Sequence, residues 1–289
     1  ALMVRTFGPE RVLAVNMPSR FNSSTTRENA RQLCAALGVE ILEFSIQKLY
    51  EHLSGEIKDA RFQGETGEYT RLADENLQAR IRGADILSGL AAKFGLVYTN
   101  NGNKTETALG YATLYGDVNG AIAPIADLYK VQVIELARFL NRKVFESDLI
   151  PRNLLDGTTV PSAELSEQQD VNKGLGDPIK YGYHDAVLRQ MIEYRKHPVD
   201  FLTWFTEGRL LENLGWNEPS AFRTYFPTIQ SWIEDLEEVE RLLRVNYFKR
   251  VQAPPIIVLS KRAFGFDLRE SQLPAYAPIK YAALKEKAL

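Results

Sequence analysis

The 289-residue chain has one cysteine, Cys34, which excludes an intramolecular disulfide and a cysteine-rich metal knot; it reads as a core thiol in a reducing cytoplasm. It also lacks a basic excess. Lys and Arg number 35 against 37 Asp and Glu, a net charge of -2, which leaves no reserve for counterion release and argues against a dedicated nucleic-acid binder. Small anions can still be held by local clusters. No apolar run reaches the roughly 18 residues that a membrane span needs, and the start lacks the basic-then-apolar order of a signal peptide. The expectation is a cytoplasmic protein without membrane contact. His52, His184 and His197 are scattered without metal-ligand spacing, and no G-x-S-x-G string or Ser-His-Asp order supports a nucleophilic hydrolase. Internal repeats and low-complexity segments are missing too. The first residue is Ala1 rather than Met, which suggests a start inside a longer gene product, although processing would look the same.

What is present is enough apolar content, 45%, to bury a large core in one α/β domain, with or without an appended helical part. Val12 to Asn16 reads as a strand closing at Met17-Pro18, and Ser24, Thr25 or Thr26 as the cap of a helix that exits at Gly38. Val39 to Ser45 is the next strand, which makes a parallel crossover unit. A long amphipathic helix is expected from about Asp74 to Phe94, then a compact strand Leu96 to Thr99, then a helix from Tyr129 to Asn141. Alternating strands and helices argue a parallel sheet covered on both faces. From Tyr183 the pattern turns helical: His184 to Arg195, Val199 to Thr206, Arg209 to Leu214 and Pro227 to Tyr247. Beyond Pro254-Pro255, the stretch Ser260 to Pro278 is expected to be irregular.

Between Tyr98 and Leu140 the chain sets Lys104, Glu106, Asp117 and Lys130 among glycines and other small residues, a composition that lets a charged ligand approach the backbone closely. Glu106 is either a first-turn helix carboxylate or a magnesium ligand beside phosphates, since Mg²⁺ takes one or two carboxylates with substrate oxygens and water. Asp117 is open to the same choice against a plain turn role in Gly-Asp-Val-Asn-Gly. Lys130 opens a helix against the dipole, which a phosphate ligand would explain. Ser162, in Pro-Ser-Ala-Glu-Leu, is an N-cap or a phosphate contact. Arg80 and Arg82, with Asn76, fit a solvated helix face, and Lys249-Arg250 the basic end of a helix.

The blocks VNMPSRFNSS, ENLQARIRG, NGNKTETALGYATLYGDVNGAIAPIADLYKVQVIELARFL, PSAEL and FKRVQAPP occur in that order from near residue 11 to near residue 267. Together they strongly resemble the NAD synthetase family. The resemblance implies a doubly wound parallel α/β sheet of the adenine nucleotide alpha hydrolase, ATP-pyrophosphatase type, with a nucleotide-binding core over residues 1–182 and a helical extension over 183–289. It implies ATP-dependent amidation of nicotinic acid adenine dinucleotide (deamido-NAD) to NAD. The acid attacks the α-phosphate, pyrophosphate leaves, and ammonia then displaces AMP from the acyl-adenylate. Carried over by position, Glu106 is the magnesium-binding residue and Lys130 the catalytic lysine on the ATP phosphates. Ser162 is a phosphate contact, Lys249 part of a late segment that closes over the nucleotides, and Met17 lies at the strand end that receives adenine. Asn76, Arg80 and Asp117 go to the deamido-NAD side, with Asp117 also counted as catalytic. The resemblance further implies a homodimer.

The family's S-G-G-x-D-S loop occurs nowhere in the sequence. The first strand and that loop are therefore expected upstream of Ala1, and the chain alone is expected to bind ATP poorly and turn over little. Gly-Asn-Lys-Thr-Glu, the helical insert and Arg-Ala-Phe-Gly at Arg262 are more like the glutamine-dependent members. Cys34 does not qualify as the glutaminase nucleophile, so ammonia is expected from a glutaminase domain outside the chain. Two other readings stand beside this one: a different ATP-pyrophosphatase amidotransferase, and a nucleotide-binding module without catalysis.

Overall fold

A computed structural model describes residues 1–265 and 278–289. Most of the irregular stretch expected from Ser260 to Pro278 thus lies outside the described residues. The chain divides into two compact units, one formed by Ala1–Tyr98, Thr113–Asn119 and Val133–Pro178, the other by Thr99–Ala112, Gly120–Gln132 and Ile179–Leu289.

In the first unit a short helix α1 (Leu2–Phe7) precedes β1 (Leu13–Asn16), α2 (Ser24–Leu37) and β2 (Glu40–Glu43). The two strands pair in parallel, with Leu13 opposite Glu40 and Asn16 opposite Glu43. The cap of α2 is one residue earlier than the sequence suggests: the Ser23 hydroxyl accepts the Thr26 N–H at 3.2 Å, and Gly38 ends the helix with a left-handed φ of 67°.

Helix α3 (Gln47–Asp59) was not expected. Gly55 and a polar run blur its pattern, yet Ile46 and Tyr50 bury against Ile81 and Ile86, with Met17, Phe21 and Leu77 packed around them. The expected long helix is α4 (Arg71–Arg80), a π-helical stretch Ile81–Leu87 and α5 (Ser88–Phe94), closed by a left-handed Gly95.

The π stretch brings Gly83 onto Gly116, so close that a Cβ on Gly83 would lie 1.9 Å from the Gly116 carbonyl oxygen. Gly83→Ala is therefore expected to destabilise the protein by about 1–3 kcal/mol through overpacking, although alanine is the better helix former. A urea midpoint equal to or above that of the parent would contradict this.

Leu96 to Thr99 is not a strand. Thr99 makes one parallel bridge to Ile122, while Leu96 and Val97 stay 44% and 77% exposed. A β-branched run supplies propensity but not the neighbour whose hydrogen bonds make it a strand, and none pairs with Leu96 to Tyr98 among the described residues.

The second unit holds α6 (Lys104–Leu109) and the first residues of α7 (Lys130–Phe139), followed by α8 (Tyr183–Glu193), α9 (Pro198–Thr206) and α10 (Leu210–Leu214). It continues with α11 (Pro219–Tyr225), α12 (Ile229–Val245), α13 (Tyr247–Arg250) and α14 (Ile279–Ala288). Helix α7 runs on into a π turn, Leu140–Val144, in the first unit. The core of this unit gathers Tyr183, Val187, Leu188, Phe201, Leu202, Trp232, Ile233 and Leu236, and the Trp232 indole N–H donates to the Tyr183 hydroxyl at 2.8 Å. Among the described residues no helix is long and apolar enough to cross a membrane.

Candidate functional site

Helices α6 and α7 both start where the sequence places its opposed charges. Asn103 accepts the Glu106 N–H at 3.1 Å, and Glu106 Oε2 accepts the Asn103 N–H at 3.1 Å, a reciprocal cap. The first-turn role of Glu106 is thus present, but it uses one carboxylate oxygen only. The other, Oε1, faces Lys130 Nζ at 3.5 Å and accepts the Tyr181 hydroxyl at 3.2 Å. Lys130 Nζ also lies 5.1 Å from the centre of the Tyr181 ring. The pair is partly open, with side chains 23% and 20% exposed.

Just behind it, the Thr105 hydroxyl donates to buried Asp185, which also accepts the Val131 N–H at 2.9 Å. Burial pushes the Asp185 carboxyl up, against the pull of those donors.

Lys249 reaches the carbonyl end of α6: its Nζ donates to Gly110 O and Ala112 O, each at 2.7 Å, and Arg250 donates to Ala108 O at 2.9 Å. Both cations thus complement the negative end of that helix. Lys104, fully buried, is bound to Asp127 at 2.8 Å, to the Ser260 hydroxyl at 2.7 Å and to Arg262 O at 2.6 Å.

In the first unit, Asn76, Arg80 and Asp117 meet at one turn. The Thr113 hydroxyl donates to Asn76 Oδ1 at 2.7 Å, the Thr113 N–H donates to Asp117 Oδ1 at 2.6 Å, and Arg80 Nε donates to Leu114 O at 3.3 Å. Arg80 is exposed, as a solvated helix face would have it, but Arg82 is partly buried. Its guanidinium donates to Met17 O at 2.9 Å and to Asn22 Oδ1 at 3.2 Å, and burial lowers it to about 10, with Glu164 opposing that shift.

Ser162 heads no helix. Its hydroxyl donates to Gln169 O at 2.7 Å and accepts the Glu164 N–H at 3.2 Å. Glu164, buried and at a φ of 49°, accepts the Ser23 N–H at 3.0 Å and the Thr26 hydroxyl at 2.6 Å.

The predicted residues therefore fall into two sets. Glu106 and Lys130 are together in the second unit, and Lys249, on α13, bonds the carbonyl end of the helix that carries Glu106. Asn76, Arg80 and Asp117 are together in the first, where Met17 and Ser162 border the Arg82–Glu164 network. Tyr181, Asp185 and Glu164 were missed as partners, because nothing in their local sequence reports contacts 75, 80 and 138 residues away.

Among the described residues no three His, Cys, Asp or Glu side chains cluster as a self-sufficient metal cage. A magnesium ion that borrows phosphate oxygens needs only one or two carboxylates, and the partly exposed Glu106 carboxylate suits such a donor set. Cys34 is buried on α2, and burial raises its thiol above the usual range.

These residues lie in a chain whose sequence matches the NAD synthase family model over residues 1–206. The glutamine-dependent NAD(+) synthetase of Synechocystis sp. is 34% identical over 282 residues, which is 96% of this chain and 43% of that protein. The chain thus spans less than half the length of the curated relatives it matches. The crystal structure of a glutamine-dependent NAD(+) synthetase from Cytophaga hutchinsonii aligns over 96% of the chain and 40% of its own, at 19% identity and a TM-score of 0.65. The NH3-dependent NAD synthetase of Campylobacter jejuni aligns over 86% of the chain and 78% of its own, at 22% identity and a TM-score of 0.54. Both share the fold, and the family match over residues 1–206 shows that this chain belongs to the NAD synthase family.

Proposed function

We propose that the chain is the synthetase part of a glutamine-dependent NAD synthetase, a ligase that amidates deamido-NAD to NAD at the expense of ATP. The observation that carries this reading is the Glu106–Lys130 pair, held 3.5 Å apart and partly exposed at the starts of two helices. A carboxylate has no leaving group that ammonia can displace, so the acid is first adenylated. Pyrophosphate leaves in that step, and AMP leaves when ammonia attacks. The protein's task is to align two anionic substrates and neutralise charge as it moves onto the phosphates.

Lys130 would contact the triphosphate, and Glu106 would be the carboxylate that holds magnesium. When bound, Mg²⁺ would supply charge neutralisation to the phosphates. Lys249 and Ser162 add contacts to ATP, and the Met17 strand end receives adenine. Asn76, Arg80 and Asp117 hold deamido-NAD.

In this reading β1 and β2 belong to a doubly wound parallel sheet, residues 1–182 form the nucleotide-binding core, and residues 183–289 extend it. The protein acts in the cytoplasm as a homodimer. Ammonia comes from glutamine at a glutaminase outside these residues, since the one cysteine in them is buried on α2.

The test is NAD formation from deamido-NAD and ATP by the natural polypeptide that carries this sequence, with ammonia or glutamine as nitrogen donor. NAD from both donors, with AMP and pyrophosphate in equal amounts, is the expected result. A second reading is a nucleotide-binding module without catalysis, which absence of an S-G-G-x-D-S loop from the whole natural polypeptide would favour. Nucleotide binding without NAD from either donor would select that reading.

A further inference from the structure

The Glu106–Lys130 pair is flanked at both ends by one short piece of chain. Tyr181 and Asp185 stand four residues apart, at the start of α8. Tyr181 donates its hydroxyl to Glu106 Oε1 at 3.2 Å and lies with its ring 5.1 Å from Lys130 Nζ, so a single side chain touches both members of the pair. Asp185 works through the residues next door. One oxygen takes the hydroxyl of Thr105, which precedes Glu106, and the other takes the N–H of Val131, which follows Lys130. The Lys130 N–H in turn points at Thr105 Oγ1 at 3.4 Å.

A buried carboxylate thus ties the first turns of α6 and α7 to each other. Neither contact is needed to cap α6, which Asn103 and Glu106 cap by themselves. A core made for stability alone would fill this place with apolar side chains, because a buried carboxylate carries a desolvation cost that packing avoids.

We infer that Tyr181 and Asp185 are positioning residues that set the separation and direction of Glu106 and Lys130 for the metal–triphosphate. Neither is assigned a bond to the reacting atoms. The inference rests on the reading of Glu106 and Lys130 given above. Its physical content is that two long, opposite charges at partial exposure would otherwise collapse onto each other or wander, and preorganised groups act without reorganising when the ligand arrives.

The experiment uses the natural polypeptide that carries this sequence and measures binding of Mn²⁺ with α,β-methylene-ATP by calorimetry, beside thermal unfolding. Variants are Tyr181→Phe, Asp185→Asn, Glu106→Gln and, as a control for lost buried hydrogen bonds, Asn141→Ala. The Asn141 side chain bonds both backbone groups of Ile150, and both residues belong to the first unit, whereas Glu106 and Lys130 belong to the second.

The expected result is that Glu106→Gln loses most metal-dependent affinity, and that Tyr181→Phe and Asp185→Asn weaken it about tenfold. Asn141→Ala lowers the unfolding temperature and leaves affinity unchanged. Tyr181→Phe in a Lys130→Ala background should then cost much less than alone, since the two act as a unit. If Glu106→Gln loses affinity while Tyr181→Phe and Asp185→Asn bind like the parent, the positioning inference fails and the site reading stands. If Glu106→Gln itself binds like the parent, the site reading fails and takes the inference with it. Should Asp185→Asn not fold, the partly buried Tyr181→Phe decides alone. A loss in Tyr181→Phe no smaller in the Lys130→Ala background also overturns the inference.

Discussion

Lys104→Met is expected to lower the unfolding free energy by about 3–5 kcal/mol, a large share of the total in a protein of ordinary stability. The ammonium and the Asp127 carboxylate are both at zero side-chain exposure, 2.8 Å apart. Methionine would fill the space and remove the one charge that Asp127 faces at bonding distance. Asp127 cannot relax towards water, because it also accepts the Leu259 and Ser260 N–H groups at 2.6 Å each. The residues around 259–262 are tied down by that carboxylate, by Lys104 and by Ser260, so the substitution loosens three stretches of chain at once.

The sign of the pH dependence follows. Burial pushes Asp127 up, but the bonds from Lys104, Leu259 and Ser260 outweigh it and hold it below the usual carboxylate range. Its contribution is therefore complete above the unfolded value of about 3.9 and is lost as pH falls through the lower folded value. Urea unfolding of parent and variant at neutral pH measures the effect. A loss under 1 kcal/mol would mean the pair is replaceable by packing. The double variant Lys104→Met with Asp127→Leu should recover part of the loss, since it removes the nearer of the two buried carboxylates that Lys104 pairs with, while Glu193, 3.5 Å from the ammonium, still loses its partner.

The second large effect is on turnover. Lys130→Ala is expected to reduce NAD formation by about 10²–10³-fold in the natural polypeptide, the usual cost of deleting one preorganised donor at developing charge. Glu106→Gln should cost about as much. It keeps the shape of the cap, and Gln can still accept from Asn103 N–H, so the loss would report the charge and not the helix start. The rise in KM for ATP should be smaller than the fall in kcat if the lysine acts mainly on the transition state. Turnover of either variant within twofold of the parent would remove both residues from the machinery.

Much of the helical architecture was legible because amphipathic helices carry their own period. α2, α4 with α5, α7 and α8 to α10 start or stop within a few residues of where the apolar spacing puts them. Helix α11 was not seen because seven residues with a proline start give too little pattern, and α3 was hidden by a glycine near its end. Leu96 to Thr99 failed for another reason: strand identity is a property of pairs, and only Thr99 has a bridge.

Charge type and glycine content marked Glu106 and Lys130, which pair in the second unit, and Asp117, which lies in the first. Tyr181 and Asp185 could not be marked, since a tyrosine and an aspartate at a helix start look the same whether they cap, pack or hold a neighbour 75 or 80 residues away. Ser162 and Arg82 show the converse error of treating a polar side chain as free when its partner is a backbone carbonyl, seven residues on for Ser162 and 65 residues back for Arg82.

The seam between Gly83 and Gly116 has a consequence for anyone recombining this protein with its relatives. Two main chains touch there without intervening side chains, so the gap has no rotamers through which a neighbour could compensate. Grafting the turn that carries Gly116 from a relative without exchanging the partner helical stretch would import a foreign spacing that no substitution elsewhere can shim. The two segments form a single heritable module, to be swapped as a pair.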